Sequence, residues 1–284
     1  MPGCRYAAAM ADTHAQPSLR ERLLVRPGRK VDLAAFDPDA TFGHQKAGAL
    51  EELTRGVDRL TDLQERLWAN GNRAVLVILQ GIDTAGKDGT IRHVMGAFNP
   101  QGCDVVGFKV PTPEELAHDF LWRAHKAVPP KGSVAIFNRS HYEDVLVVRV
   151  HELVPESVWR QRYGQINEFE QLLSETGTTI LKFFLLIDQD EQKARLQARL
   201  DDPTKRWKFS SADFEERKRW DAYTAAYEEM LERCSLKNAP WYVIPSNRKW
   251  FRNLAVADIL ADTLDDLHLP YPEAEEGLDA VVVE

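Results

Sequence analysis

The side chains whose types and spacing carry the most chemistry stand in GIDTAGKDGT, residues 81–90. Gly81, Gly86 and Lys87 fit G-x-x-x-x-G-K, directly after an apolar run and directly before a helical one. Glycines so spaced let backbone N–H groups converge on phosphate oxygens, the next helix offers its positive N-terminus, and the lysine reaches the terminal phosphates. Gly81, Ala85, Gly86, Lys87, Asp88, Gly89 and Thr90 are therefore expected to cradle phosphate; the alternative is an ordinary glycine-rich turn. Two acids alter the pattern. Asp88 occupies the place where Ser or Thr usually offers a hydroxyl to magnesium, so metal duty must move elsewhere. Asp83, inside the loop, would repel a phosphate unless a divalent cation lay between them. Its plainer reading is an Asx-turn that shapes the loop.

A second constellation is FNRSHYEDV, residues 137–145, which places Asn138, Arg139, Glu143 and Asp144 at the end of an expected strand. Open α/β sheets keep their ligands at that edge. A carboxylate there can act as a magnesium ligand facing the loop, and Arg139 can meet the charge of a phosphoryl-transfer transition state. The alternative for Glu143 and Asp144 is a pair of helix-start acids favoured by the dipole. His141 is read as a packed ring. A third group lies in KARLQARLDDPTKRWKFSSADFEERKRW, residues 193–220, with Arg195 and Arg199 one turn apart, then Lys205, Arg206 and Lys208 beside Pro203. A helix-loop-helix here can close over phosphates, exclude water and bring in cations. Arg199, Lys205, Arg206 and Lys208 are assigned to phosphate on that ground. A solvated helix face, with pairs such as Glu215 and Arg219, is the alternative.

Positioning these groups requires an alternation of short apolar runs with longer helical ones, the mark of a parallel α/β fold. Five runs qualify as buried strands: 74–80, 104–108, 133–138, 179–187 and 241–245. Helices are expected in GTIRHVMGAFN, PEELAHDFLWRAHKA, PESVWRQRYGQINEFEQLLSETG, DEQKARLQARL, SADFEERKRWDAYTAAYEEMLERC and FRNLAVADILADTLDDL. Before them, Leu50, Leu53, Val57, Leu60, Leu63 and Leu67 step by three and four, the stripe of an amphipathic helix that Asn70-Gly71 stops. Its face is expected against the domain or a partner subunit. The resulting division is a leader (1–18), an arm with the amphipathic helix (19–72), a doubly wound domain (73–270) with a helical lid at about 190–236, and an acidic tail (271–284).

The chain has 284 residues, enough for a large α/β core, with 44% hydrophobic and 28% charged residues. Its 36 basic and 44 acidic residues leave a formal charge of -8, which argues against coating nucleic acid or anionic membrane by bulk charge. A polyanion would need cations gathered locally. Cys4, Cys103 and Cys234 are widely separated and suggest neither a disulfide framework nor a zinc site, so a cytoplasmic setting is expected. No apolar run reaches membrane-span length, and the start lacks a signal-peptide h-region.

Taken in order, GIDTAGKDGTIRHVM, FNRSHYEDV, RLDDPTKRWKFSSADFEERKRWDAY and APWYVIPSNRKWF resemble the family-2 polyphosphate kinases over about residues 30–270. The resemblance implies a P-loop kinase-like, doubly wound parallel five-stranded sheet with a helical lid. It implies reversible, magnesium-dependent transfer (manganese being the alternative ion) of the terminal phosphate of inorganic polyphosphate to a nucleotide. Asp83 and the Lys87 loop fall on the family's Walker A motif, Arg139 with Glu143 and Asp144 on its Walker B motif, and Arg199 to Lys208 on its lid. The catalytic assignments are then Asp83, Lys87, Arg139 and Asp144, and the metal ligands Asp83, Glu143 and Asp144. Asn138 replaces an Asp found in many members, so its metal duty passes to Glu143 or Asp144. With Asp88, that Asn resembles class III, which phosphorylates nucleoside mono- and diphosphates, making AMP and ADP the implied acceptors. A homodimer or homotetramer is implied as well. Two alternatives stay open: an ATP-dependent nucleotide or small-molecule kinase of the same fold, and a non-catalytic polyphosphate-binding or nucleotide-switch module.

Overall fold

The computed structural model describes residues 17–210 and 212–277, without the side chains of Lys208, Ala212 and Asp213. The expected leader thus lies almost wholly outside the described residues, as does the apolar end of the tail. Five strands form one all-parallel sheet: β1 (Ala74–Gln80), β2 (Cys103–Gly107), β3 (Val134–Asn138), β4 (Thr178–Leu186) and β5 (Trp241–Pro245), in the order β2-β3-β1-β4-β5. A parallel sheet is covered on both faces, so its strands read as unbroken apolar runs. β1 is buried at every position. All five expected strands occur, three of them displaced by one residue at one or both ends.

The helices are α1 (Leu19–Leu23), α2 (Lys46–Asn70), α3 (Lys87–Thr90), α4 (Pro113–Leu116), α5 (Trp122–Ala127), α6 (Val147–Val150), α7 (Glu156–Glu175), α8 (Gln189–Asp201), α9 (Ala212–Lys218), α10 (Trp220–Cys234) and α11 (Lys249–Asp265). Side chains alternate across the sheet. Leu76 and Ile78 of β1 join the core shared with α7 and α10, whereas Val75, Val77 and Leu79 join the core shared with α2 and α11. α2 ends where Gly71 turns left-handed at φ 61° and its N–H caps Leu67 O. Of its stripe, Leu60, Leu63 and Leu67 are buried, Leu53 and Val57 half-buried, and Leu50 exposed.

Two expected helices are each interrupted. PEELAHDFLWRAHKA divides into α4 and α5 because Asp119 Oδ1 accepts the Leu121 N–H at 2.9 Å, an Asx contact that competes with the helix. The helix expected over residues 211–234 divides at Arg219, whose guanidinium bonds Val150 O at 3.4 Å. The arm before α2 is integrated with the sheet: Val25 N–H donates to Trp241 O at 2.9 Å, and Leu33 N–H to Glu228 at 2.8 Å. Among the described residues no helix is long and apolar enough to cross a membrane.

Strand order reverses around β1, with Leu79 opposite Asn138 on one side and Gln80 opposite Phe184 on the other. A crevice opens at the carboxyl end of such a reversal. The loop at 81–86 and the turn after Asn138 both emerge into it.

Candidate active site

The loop is shaped by backbone that few residues adopt. Gly81 has φ 153° and Gly86 φ 112°, and a Cβ on Gly81 would lie 2.8 Å from Leu185 O. Thr84 is left-handed at φ 70°, and its buried Oγ1 has no hydrogen-bond partner. Strained backbone and an orphaned hydroxyl together mark a site built for something other than stability. Lys87 is buried and folds back on the loop, its Nζ donating to Gly81 O at 2.6 Å. Burial, then Arg139, pull its pKa down to about 8 against the opposite pull of Asp83, Glu143 and Asp88. Thr90 is buried with its hydroxyl on Gly86 O at 3.2 Å, and the first helical turn passes into a π-turn at Ile91–Met95.

Arg139 is the second left-handed residue of the site that is not glycine, at φ 61°. Its guanidinium lies 2.6 Å from Asp83 and 3.5 Å from Glu143, so one cation holds two carboxylates beside the loop. Burial opposes that charge, yet Glu143 and Asp83 raise its pKa above the ordinary arginine value. Asn138 donates to Asp88 Oδ1 at 2.8 Å and so braces the residue after Lys87. Asp144 takes another direction. Its carboxylate accepts from Arg162 at 2.8 Å and lies 3.7 Å from Arg123, and burial pushes its pKa up to about 6 against both arginines.

These groups open on a cleft of about 840 Å³. Among the described residues its lining carries eight basic side chains and three carboxylates, the reverse of the whole-chain balance. Asp83, Gly86, Lys87, Asp88, Gly89, Asn138, Arg139, Arg199 and Lys205 line it. Gly81, Ala85, Thr90, Glu143 and Asp144 stand behind the lining, and Arg206 turns its Nε to Leu200 O at 2.7 Å outside it. The Lys208 side chain lies outside the described residues.

The sequence reading had no role for several lining groups. Arg195 is buried and donates to Thr84 O, Ala85 O, Ser246 O and Asn247 O at 2.6–3.1 Å, tying α8 to the loop and to the segment after β5. Arg252 is buried beneath the loop, with its NH1 3.4 Å from Ala85 O and its other donors on Asn253. A Cβ on Gly86 would lie 1.8 Å from that guanidinium, and one on Gly89 3.0 Å. Burial, then Arg195, lower Arg252 to about 10, and the same two causes lower Lys249. These cations crowd one another with too few anions, which is costly unless an anionic ligand completes the site. SNRKWFRN, residues 246–253, carries the signal: cations directly after a strand that ends at the same sheet edge.

Two oxygen-bearing side chains converging on Arg139 suit a hard divalent cation, which prefers carboxylate, phosphate and water oxygens. Among the described residues no three His, Cys, Asp or Glu side chains cluster as a complete metal site. Phosphate and water would have to supply the remaining oxygens, as is usual for magnesium beside phosphates.

Known proteins resemble this chain over most of its length. The family model described as polyphosphate kinase 2 matches residues 44–271. The AMP/ADP-polyphosphate phosphotransferase of Meiothermus ruber is 53% identical over 262 residues, covering 92% of this chain and 98% of that protein. The ADP-polyphosphate phosphotransferase of Rhodopseudomonas palustris is 46% identical, over 88% and 91%. The crystal structure of polyphosphate kinase 2 from Arthrobacter aurescens TC1 superposes with a TM-score of 0.90 at 47% identity, covering 93% of this chain and 95% of that one. With the family model matched over residues 44–271 and a relative 53% identical over 92% of the chain, this protein belongs to the polyphosphate kinase 2 family.

Proposed function

We propose that this chain transfers the terminal phosphate of inorganic polyphosphate to AMP and ADP, reversibly and with a divalent cation. The observation that carries the proposal is the inversion of charge: an acidic chain gathers its cations in one cleft around a phosphate loop. A track of separated cations suits a long, flexible polyanion. The names of the Meiothermus and Rhodopseudomonas relatives supply the acceptors.

In the proposed reaction a terminal phosphate oxygen of the acceptor attacks the end phosphorus of the polyphosphate in line with the bond that breaks. The acceptor phosphate, with a second pKa near ~6, is already ionised at neutral pH, so no general base is needed. Alignment and neutralisation of charge remain. Lys87 leaves the carbonyl of Gly81 for the transferring phosphate, the N–H groups of residues 86–90 surround its oxygens, and Arg139 stands across from them. Thr84 Oγ1 completes its hydrogen bonding on a phosphate oxygen. Asp83 and Glu143 are the side chains that would hold magnesium, which supplies Lewis-acid polarisation of phosphate oxygens when bound. Asp144 supports the turn from behind through Arg162 and Arg123. Arg199, Lys205, Lys249 and Arg252 extend the positive field along the polyphosphate, with Arg206 and Lys208 on the lid assigned to the same chain.

The direct test supplies ADP, polyphosphate and magnesium with no ATP, then separates products by charge. ATP is expected with ADP, ADP with AMP, and neither after chelation, with manganese restoring part of the rate. No ATP from ADP and polyphosphate would overturn the proposal in favour of an ATP-driven kinase of the same fold.

A further inference from the structure

We infer that Tyr142, Glu170 and Lys182 form a positioning device, buried behind the site, that locks the turn carrying Arg139 and Glu143 without touching substrate. The inference rests on the roles proposed above for those two residues.

Lys182 stands in the middle of β4, within the otherwise apolar run TILKFFLLI, where the sheet has no use for a charge. It shares a strand face with Ile180 and Phe184, so its side chain enters the core under α7 and α10. All three ammonium donors are used: on Glu170 Oε2 in a short contact, on Tyr142 Oη at 2.8 Å and on Cys234 O at 2.7 Å. Tyr142 in turn donates to Glu170 Oε1 at 2.8 Å. None of the three side chains is exposed. Burial, then Glu170, hold the Tyr142 hydroxyl well above the ordinary tyrosine value, so it stays a donor. Burial alone would raise the Glu170 carboxyl, but Lys182 and His141 keep it low and ionised.

Such a network is a poor source of stability, because apolar side chains of similar volume serve a core as well or better. A buried trio in which Tyr142, Glu170 and Lys182 all find partners does impose one geometry. What it fixes is the 3-10 turn His141–Asp144, which α7 grips at three of its four residues: His141 at 3.4 Å and Tyr142 at 2.8 Å through Glu170, and Asp144 through Arg162. Two residues before this turn Arg139 occupies a left-handed backbone that a non-glycine residue keeps only when its surroundings over-determine it. Leu79 O holds its N–H at 3.1 Å, and Ser140 Oγ accepts both Tyr142 N–H and Gln80 Nε2 at 3.1 Å. Tyr142 is thus bonded to Ser140 at its backbone and to the buried pair at its tip, and Glu143 follows it directly.

Two variants test this in the polyphosphate-to-ADP assay, at a temperature where thermal unfolding shows each fully folded. Tyr142→Phe removes one hydroxyl and keeps the ring. Lys182→Met with Glu170→Met exchanges the ion pair for apolar volume. Both are expected to lower kcat at least tenfold, since misplacing a reacting group by about 1 Å costs roughly a hundredfold. KM for polyphosphate is expected to stay within twofold, because the cleft cations other than Arg139 are untouched. Wild-type kcat in either folded variant would overturn the inference, as would a rise in KM with kcat unchanged. If neither variant folds, the trio maintains the fold and not the turn, and the inference is likewise wrong. A wild-type chain without transfer in the same assay would count against the proposed function instead.

Discussion

Arg139→Ala is expected to lower kcat for transfer from polyphosphate to ADP by about 10³-fold or more, the range lost with an arginine that meets transition-state charge in phosphoryl transfer. The guanidinium lies between Asp83 and Glu143, where the loop and the turn face each other across the end of the sheet. Alanine meets the same left-handed backbone, so the exchange isolates the guanidinium and leaves the turn's own bonds in place. Arg139→Lys keeps a charge but loses the planar fork, and is expected to recover only a small part of the rate. Steady-state kinetics with ADP and polyphosphate decide the matter. A loss below tenfold would remove Arg139 from the reacting centre.

For Lys87→Ala a fall of about 10²–10³ in kcat is expected, the cost of removing one preorganised donor at the developing charge. Retention of more than about a tenth of the wild-type rate would show that the lysine does not reach the transferring phosphate. A pH dependence accompanies it. In the free protein burial and Arg139 lower Lys87 to about 8, so the cation is present below that pH and lost above it. kcat/KM for polyphosphate reports the free enzyme and is expected to decline as pH rises through about 8. kcat reports the loaded enzyme, where bound phosphate favours the ammonium, and is expected to hold to higher pH. Lys87→Ala should lack the basic limb. A wild-type kcat/KM that stays level to pH 10 would contradict this account.

Much of this arrangement could be read before any coordinates, and the reasons are specific. A doubly covered parallel sheet leaves its strands as plain apolar runs, so β1 and β5 were legible at their ends. The phosphate loop was legible because its chemistry is local, with Gly81, Gly86 and Lys87 within seven residues. Groups that meet only through the fold were not. Arg195 and Arg252 reach Ala85 from 110 and 167 residues away, and only the placement of SNRKWFRN directly after β5 hints at the second encounter. Glu143 and Asp144 could not be told apart by sequence, since adjacent residues in a tight turn diverge: one carboxylate faces Arg139, the other Arg162. Lys182 left a trace that periodicity alone could not interpret, a charge in an apolar strand.

The crowding of Arg252 beneath Gly86 and Gly89 bears on how the loop can be transplanted. Those glycines are ordinarily credited to phosphate, which needs bare backbone at close range. Here each also leaves room for a guanidinium: a methyl at Gly86 would overlap it, and one at Gly89 would press it back by a few tenths of an ångström. Gly86 and Gly89 on the loop and Arg252 on the last helix are therefore sterically coupled. Grafting the loop into another scaffold would need the arginine's space to travel with it.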